Sequence, residues 1–295
     1  MPVKRRGFLM LLAGGAACAR GAVRAGGAAP AGPRVACQEW VVPGETLGAK
    51  AARLAAWGFD GIELSGAPLR GAGAAHVAAL GRTARAAGIA VSAVCGGVEG
   101  ALAHHDAAVR ARAAASVRAL LAVAGGLGAA GVLVAAGMRG DGSRLGEDDR
   151  RRVLADLLPA LGEAAAAEGT MLLLEPVRGA GASFPAGLAE AAALIRGARG
   201  TGLGLAADCY HARHEEGGLA ASLQAVRDCL RYVHVCGEGR RVPDGSDALL
   251  GASMEALAGC RPGMFLSIQA CVAGDAAEEL PLAAAAMARA VAGMA

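Results

Sequence analysis

From Arg34 onward, short apolar runs alternate with helical patterns eight times over. The runs cover residues 35–40, 61–64, 89–94, 132–135, 171–175, 203–207, 232–236 and 265–269. Each is followed by a loop bearing Gly or Pro and then by an Ala/Leu/Arg-rich stretch of helical period. The clearest helical stretches are 47–57, 77–87, 148–167 and 281–292. Glycine stands just before the next run at Gly58, Gly88, Gly131 and Gly169, where a helix would close. Strands separated by helices pair in parallel. Eight such units predict an α/β chain folded as a single (β/α)8 TIM barrel over residues 34–295. The alternative is an open doubly wound sheet, but no Gly-x-Gly-x-x-Gly follows the first strand. In a barrel the chemistry belongs at the C-terminal ends of the strands.

Composition removes other classes. With 55% hydrophobic and 19% charged residues, the chain can bury enough apolar surface to offset the entropy of ordering, so disorder is excluded. The mean hydropathy of +0.42 reflects abundant alanine spread along the chain rather than one long run of large aliphatic residues. No segment approaches the roughly 20 apolar residues that span a bilayer, so no membrane span is expected.

Residues 1–25 are expected to be an address rather than structure. Lys4, Arg5 and Arg6 precede a short apolar stretch from Gly7 to Ala19, and Val23-Arg24-Ala25 offers a small-x-small cleavage site. Arg5-Arg6 with Phe8-Leu9 predicts a twin-arginine signal, and so export to the periplasm or another extracytoplasmic space. An ordinary Sec signal or a cytoplasmic terminus is the alternative, and lipid anchoring at Cys18 is a minor one. Residues 26–33 are expected to be a flexible spacer. Five basic residues and no acid lie within 1–25, so cleavage takes the formal charge from +3 to −2. The apparent basicity therefore belongs to the leader and implies no acidic partner. Eight cysteines, at 18, 37, 95, 209, 229, 236, 260 and 271, contain no C-x-x-C pair. Most fall in or beside apolar strand runs, where reduced Cys behaves as a small hydrophobe.

Polar residues gather at the expected strand ends. The second strand ends on Glu63, the fifth on Glu175 and the eighth on Gln269; the sixth runs into Asp208 with His211 beyond. The seventh carries His234, with Arg240 and Arg241 in the following loop. A carboxylate ending an apolar strand is costly to desolvate unless it is paired or binds metal. Glu175, Asp208 and His234 come from three adjacent strands, and two carboxylates with one imidazole suit a divalent Mn, Mg, Co or Zn ion. Glu63 fits either a structural ion pair or a place beside substrate. An arginine in the seventh loop suits a substrate oxygen or phosphate. Cys236 should share the face of His234 and line the pocket. His76, His104, His105 and His214 are expected on the surface. Trp40, Phe184 and Tyr210 could stack on a sugar or pack against the rim.

With GFDGIEL around Glu63, LLLEP at Glu175, D-C-Y-H at 208–211 and V-H-V leading to Arg240, the chain resembles the xylose isomerase-like TIM-barrel family. That family, the AP endonuclease 2 superfamily, takes in sugar phosphate isomerases and epimerases, hydroxypyruvate isomerase, inosose dehydratase, ketose 3-epimerases and endonuclease IV. The resemblance implies one divalent metal held by Glu175, Asp208, His234 and a strand 8 glutamate, with His211 and Arg240 touching substrate. The last position departs: the family's S-I-E is Ser267-Ile268-Gln269 here. An amide oxygen can still face a metal, but it brings no charge and takes no proton. The loop after the fifth strand also lacks the N-R-x-E of the ketose epimerases.

The resemblance therefore implies a sugar or polyol substrate and carbonyl migration through an enediolate, with Glu175 as base. With Gln269 opposite, one-base isomerisation or dehydration fits better than two-base epimerisation. The alternative is an exported sugar-binding barrel with little or no activity. A nucleic-acid substrate is not expected, because repair chemistry of the endonuclease IV kind uses a larger cluster of histidines and acids. Assembly as a homo-oligomer stays open.

Overall fold

The computed structural model describes residues 32–137, 141–177, 184–199 and 202–294. The expected leader and most of the expected spacer lie outside them, as does most of the loop after the fifth strand.

Eight parallel strands close into a barrel in sequence order. They are β1 (Arg34–Gln38), β2 (Gly61–Ser65), β3 (Ala90–Cys95), β4 (Val132–Val134), β5 (Leu172–Leu174), β6 (Leu203–Asp208), β7 (Leu230–Val235) and β8 (Phe265–Ile268). Around them run α1 (Leu47–Trp57), α2 (Ala74–Ala86), α3 (Ala107–Leu127), α4 (Glu147–Ala167), α5 (Leu188–Ala198), the short α6 (Cys209–Ala212) and α7 (Gly218–Ala225), then α8 (Ala248–Ala256) and α9 (Ala276–Ala292). The closing pair sets Arg34 opposite Phe265 and Cys37 opposite Ile268. Among the described residues no helix is long and apolar enough to cross a membrane.

Strand alternation divides the core in two. Outward-facing Ile62, Leu64, Val132, Val134, Leu172, Leu174, Val233, Val235, Leu266 and Ile268 pack beneath the helices. Inward-facing Ala36, Ala93, Leu133, Leu173, Ala206, Tyr232 and Phe265 fill the barrel. Because both faces are covered, the strands are near-continuous apolar runs, as parallel sheets require. Most of the inner positions are alanine or leucine, so Tyr232 and Phe265 supply the bulk. One step further along the same inward face the residues turn polar: Gln38, Glu63, Glu175, Asp208 and His234. That layer is the barrel mouth.

The element ends correct several expectations. α9 begins five residues before Pro281, because Asp275 caps it by accepting from the Ala277 N–H at 2.8 Å. Two acids in its first turn also suit the helix dipole. The proline inside forgoes one helical hydrogen bond. The left-handed turn ending α3 falls on Gly128 (φ 69°), not on Gly131. His104 is buried rather than on the surface, since the loop before α3 folds Ala101, Leu102 and Ala103 inward with it. Its Nδ1 accepts from the Asp106 N–H at 3.0 Å. His76 and His214 are exposed. The seven described cysteines are all free thiols. Burial pushes Cys209 up to about 12, although a hydrogen bond with Ser253 pulls the other way, so this thiol stays protonated.

Candidate metal and sugar site

Strand register assembles the site. β6 pairs Asp208 directly with His234 of β7, and β1 pairs Gln38 with Glu63 of β2. Neighbouring parallel strands lie about 4.8 Å apart, so each pair shares one layer of the mouth. Glu175 follows the last residue of β5 and is held in the sheet by its N–H donating to the Val134 carbonyl at 3.0 Å. Asp208 ends β6 and caps α6, its Oδ1 accepting from the Tyr210 N–H at 2.8 Å. The D-C-Y-H spacing thus fixes the carboxylate with one oxygen on the helix cap and Oδ2 left for the pocket.

Four ionisable side chains meet out of solvent. Glu63 and His234 are fully buried, and Glu175 and Asp208 are 7% and 3% exposed. The His234 Nδ1 lies 2.7 Å from Glu175 Oε1, and its Nε2 lies 3.0 Å from Glu63 Oε2. Glu63 also accepts from Gln38 Nε2 at 2.8 Å and from the Tyr232 hydroxyl at 2.7 Å. Tyr232 in turn contacts the Ser92 hydroxyl at 2.9 Å. Since the tyrosine proton goes to Glu63, the serine donates.

Charge follows this geometry. Burial alone would raise Glu63, but the charge of His234 and hydrogen bonds from His234, Tyr232 and Gln38 bring it down to about 2. Burial alone would lower His234, yet Glu63 and Glu175 on either side hold it well above the usual imidazole value. Without a metal, His234 is therefore an imidazolium between two carboxylates.

Glu175, Asp208 and His234 each offer one ligand atom, and these atoms lie within 4.8 Å of one another. A six-coordinate cation with bonds of about 2.1 Å separates opposite ligands by about 4.2 Å, so the set fits a divalent ion. The far nitrogen of His234 rests on the Glu63 carboxylate, the arrangement that orients metal-binding histidines. A second group, Glu63, Cys95 and His234, shares the histidine. Burial, then Glu63 and Glu175, push the Cys95 thiol well up, so it remains neutral and makes a poor ligand.

The other expected residues take distinct places. Arg240 closes a tight turn after β7 with its backbone in the left-handed region (φ 59°). Its Nη2 donates to Asp208 Oδ2 at 2.5 Å and to His211 Nε2 at 2.7 Å, and its Nη1 donates to Gln269 Oε1 at 3.4 Å. The guanidinium lies over the Tyr210 ring, 4.8 Å from its centroid. Because arginine only donates, His211 Nε2 accepts and its proton sits on Nδ1. Burial lowers the pKa of His211 while Asp208 opposes the shift, so the ring is neutral at physiological pH. Arg241 is exposed. Trp40 lies in the turn after β1 and is half exposed at 49%. Phe184 is buried. Cys236 belongs to the core beneath the helices, because β7 ends at Val235 and the chain turns away there.

Sequence reasoning missed Gln38, Tyr232 and Cys95. All three lie on the inward faces of their strands, and Tyr232 stands two residues before His234. Stepping back two residues from His234 would have found Tyr232, whereas Gln38 and Cys95 end strands that carry no acid to mark them.

A family profile described as xylose isomerase-like TIM barrel matches residues 51–264. Comparison with curated protein sequences finds no match. Among solved structures, 3-keto-D-glucoside 4-epimerase of E. coli is similar with a TM-score of 0.75 and 22% identity, covering 88% of this chain and 98% of its own. D-psicose 3-epimerase, crystallised in the presence of D-fructose, has a TM-score of 0.77 at 18% identity over 88% of this chain and 99% of its own. An L-ribulose 3-epimerase gives 0.77 at 20% identity over 89% and 95%. At these identities the structural likeness is one of fold. The profile spans most of the barrel, from α1 to the start of β8, and on that ground the chain belongs to the xylose isomerase-like TIM barrel family.

Proposed function

We propose that the protein is a divalent-metal-dependent enzyme of the sugar isomerase and epimerase kind, acting on a small keto-sugar or polyol, phosphorylated or not, through an enediolate. The observation that carries this reading is the buried set of Glu175, Asp208 and His234 at the barrel mouth, with ligand atoms within 4.8 Å. The names of the similar structures, epimerases of keto-glucoside, psicose and ribulose, agree with it.

A divalent cation held by Glu175, Asp208 and His234 would supply Lewis-acid polarisation of the substrate carbonyl. The remaining work falls to side chains. In isomerisation, Glu175 takes the proton from the carbon α to the carbonyl and returns it to the former carbonyl carbon, while the α-hydroxyl proton passes to the former carbonyl oxygen. Glu63 holds His234 by Nε2, which keeps Nδ1 aimed at Glu175 and Asp208. Arg240 and neutral His211 offer a cationic donor and a ring N–H to substrate oxygens. Trp40, exposed in the turn after β1, would cover a sugar at the rim. Gln269 takes no proton, so only one face of the enediolate has a base. This favours one-base isomerisation or dehydration over two-base epimerisation.

Metal analysis of the purified protein and turnover of a keto-sugar panel test the proposal. Stoichiometric Mn, Co or Zn, with activity lost in Glu175→Gln, is expected. Wild-type turnover by that variant would remove Glu175 from the mechanism. Gln269 also motivates a second reading, a sugar-binding barrel without turnover; a metal-free protein that still binds sugars would favour it.

We also propose that residues 1–25 direct export by the twin-arginine route, on the strength of Arg5-Arg6 and Phe8-Leu9. Fractionation should place the mature chain outside the cytoplasm, and Arg5→Lys with Arg6→Lys should retain it inside. Unchanged export of the double variant would point to another route.

A further inference from the structure

A cation already occupies one of the acids that a metal would need. His234 faces Glu175, and Arg240 Nη2 takes Asp208 Oδ2, the oxygen not used in capping α6. The guanidinium is held from several sides: by His211 Nε2, by the face of Tyr210 and, more weakly, by Gln269 Oε1. Its backbone is also fixed, the Arg240 carbonyl accepting from the Cys271 N–H at 2.7 Å and its N–H donating to the Gly237 carbonyl at 3.1 Å. Only the side chain is therefore free to move. Residue 269 is an uncharged amide here, and the carboxylate that Arg240 pairs with among the described residues is Asp208.

We propose that Arg240 and the metal exchange on Asp208: the guanidinium is a built-in counter-ion that occupies Oδ2 in the metal-free protein and must leave it for the cation to be bound. Gln269 makes the exchange necessary, because an amide offers the guanidinium no competing negative charge. Released from Asp208, Arg240 still has His211, Tyr210 and Gln269 around it, and its freed donors point into the pocket. This inference rests on the metal-dependent reading above.

The experiment is Mn²⁺ binding to the whole purified protein, followed by electron paramagnetic resonance. Wild type is compared with Arg240→Gln, Arg240→Lys and Arg213→Gln, each checked for a native circular dichroism spectrum. Arg213 is a control for long-range charge: it pairs with Glu238 and also lies over Tyr210, at 4.8 Å. Removing the charge-assisted bond in Arg240→Gln should tighten Mn²⁺ binding about tenfold or more. Arg240→Lys should fall between that and wild type, and Arg213→Gln should change it less than twofold. In a crystal of the Mn²⁺ complex, Arg240 Nη2 should no longer lie within hydrogen-bond distance of Asp208 Oδ2. An unchanged affinity in Arg240→Gln, an equal gain in Arg213→Gln, or an intact Arg240–Asp208 bond beside bound Mn²⁺ would each overturn the exchange. If neither wild type nor Arg240→Gln binds Mn²⁺ while both are folded, the metal reading itself fails and takes the exchange with it.

Discussion

Replacing Glu63 with glutamine tests how the mouth is held together. The carboxylate is fully buried and receives Gln38 Nε2 at 2.8 Å, the Tyr232 hydroxyl at 2.7 Å and His234 Nε2 at 3.0 Å. Glutamine keeps the shape but exchanges one acceptor oxygen for an NH₂ group, so at least one donor faces another donor. It also removes the charge opposite His234. Taking one partner from a buried ion pair costs about 3–5 kcal/mol. In a domain of this size that lowers the melting temperature by roughly 10 °C. The pH dependence has a definite sign. Glu63 is lowered from 4.5, so its contribution is present above 4.5 and lost as the pH falls toward about 2. His234 is raised above 6.5, so its contribution is complete below 6.5 and lost as the pH rises through its folded value. The penalty in Glu63→Gln should therefore be largest between about pH 4.5 and 6.5 and should shrink on the alkaline side. The assay is calorimetry on chelator-treated protein across pH. A melting temperature within 2 °C of wild type at pH 6, or a penalty that grows with alkalinity, would refute the account of Glu63 as the anchor of His234.

Further outcomes follow from the same geometry. Because His234 carries a proton on Nδ1 in the metal-free state, Zn²⁺ binding near neutral pH should release about one proton, measurable by titration calorimetry in buffers of different ionisation enthalpy; no buffer dependence would mean that His234 is not a ligand. Gln269→Glu should tighten metal binding, both by adding a carboxylate and by offering Arg240 a partner other than Asp208; unchanged affinity would show that residue 269 does not reach the cluster. In Gly66→Ala a Cβ would collide with the Gly96 carbonyl oxygen, although the backbone at Gly66 is unstrained (φ −74°). That overpacking should cost about 1–3 kcal/mol and lower the melting temperature by several degrees, and a neutral result would mean that the loops after β2 and β3 are not tightly apposed.

Much of this was legible before the structure. The eight runs read from the sequence match β1 to β8 within one or two residues at either end, the two-residue differences being the end of β1 and the start of β7. Parallel strands buried on both faces are continuous apolar runs, so each stood out against its flanking Gly and Pro. Strand-end acids marked the mouth because a carboxylate at the end of LLLE or LAAD is costly to desolvate unless it is paired or binds metal. What sequence could not supply was register. The pairing of Asp208 with His234 and of Gln38 with Glu63 depends on shear around the closed barrel, which local patterns do not encode. Arg240 was expected beside substrate, but its bond to Asp208 depends on a left-handed turn at a non-glycine residue, which has no local signature. His104 is buried for a similar non-local reason, since the loop that folds Ala101, Leu102 and Ala103 inward carries the histidine with it.

The central claim is that the barrel mouth removes a proton α to a carbonyl, with Glu175 as the base. The most direct measurement is proton exchange into a keto-sugar in D₂O, followed by NMR with Mg²⁺- or Zn²⁺-loaded protein. The account predicts deuterium at the α carbon with wild type and a rate at least about a hundredfold lower with Glu175→Gln. Exchange by Glu175→Gln at the wild-type rate would contradict it.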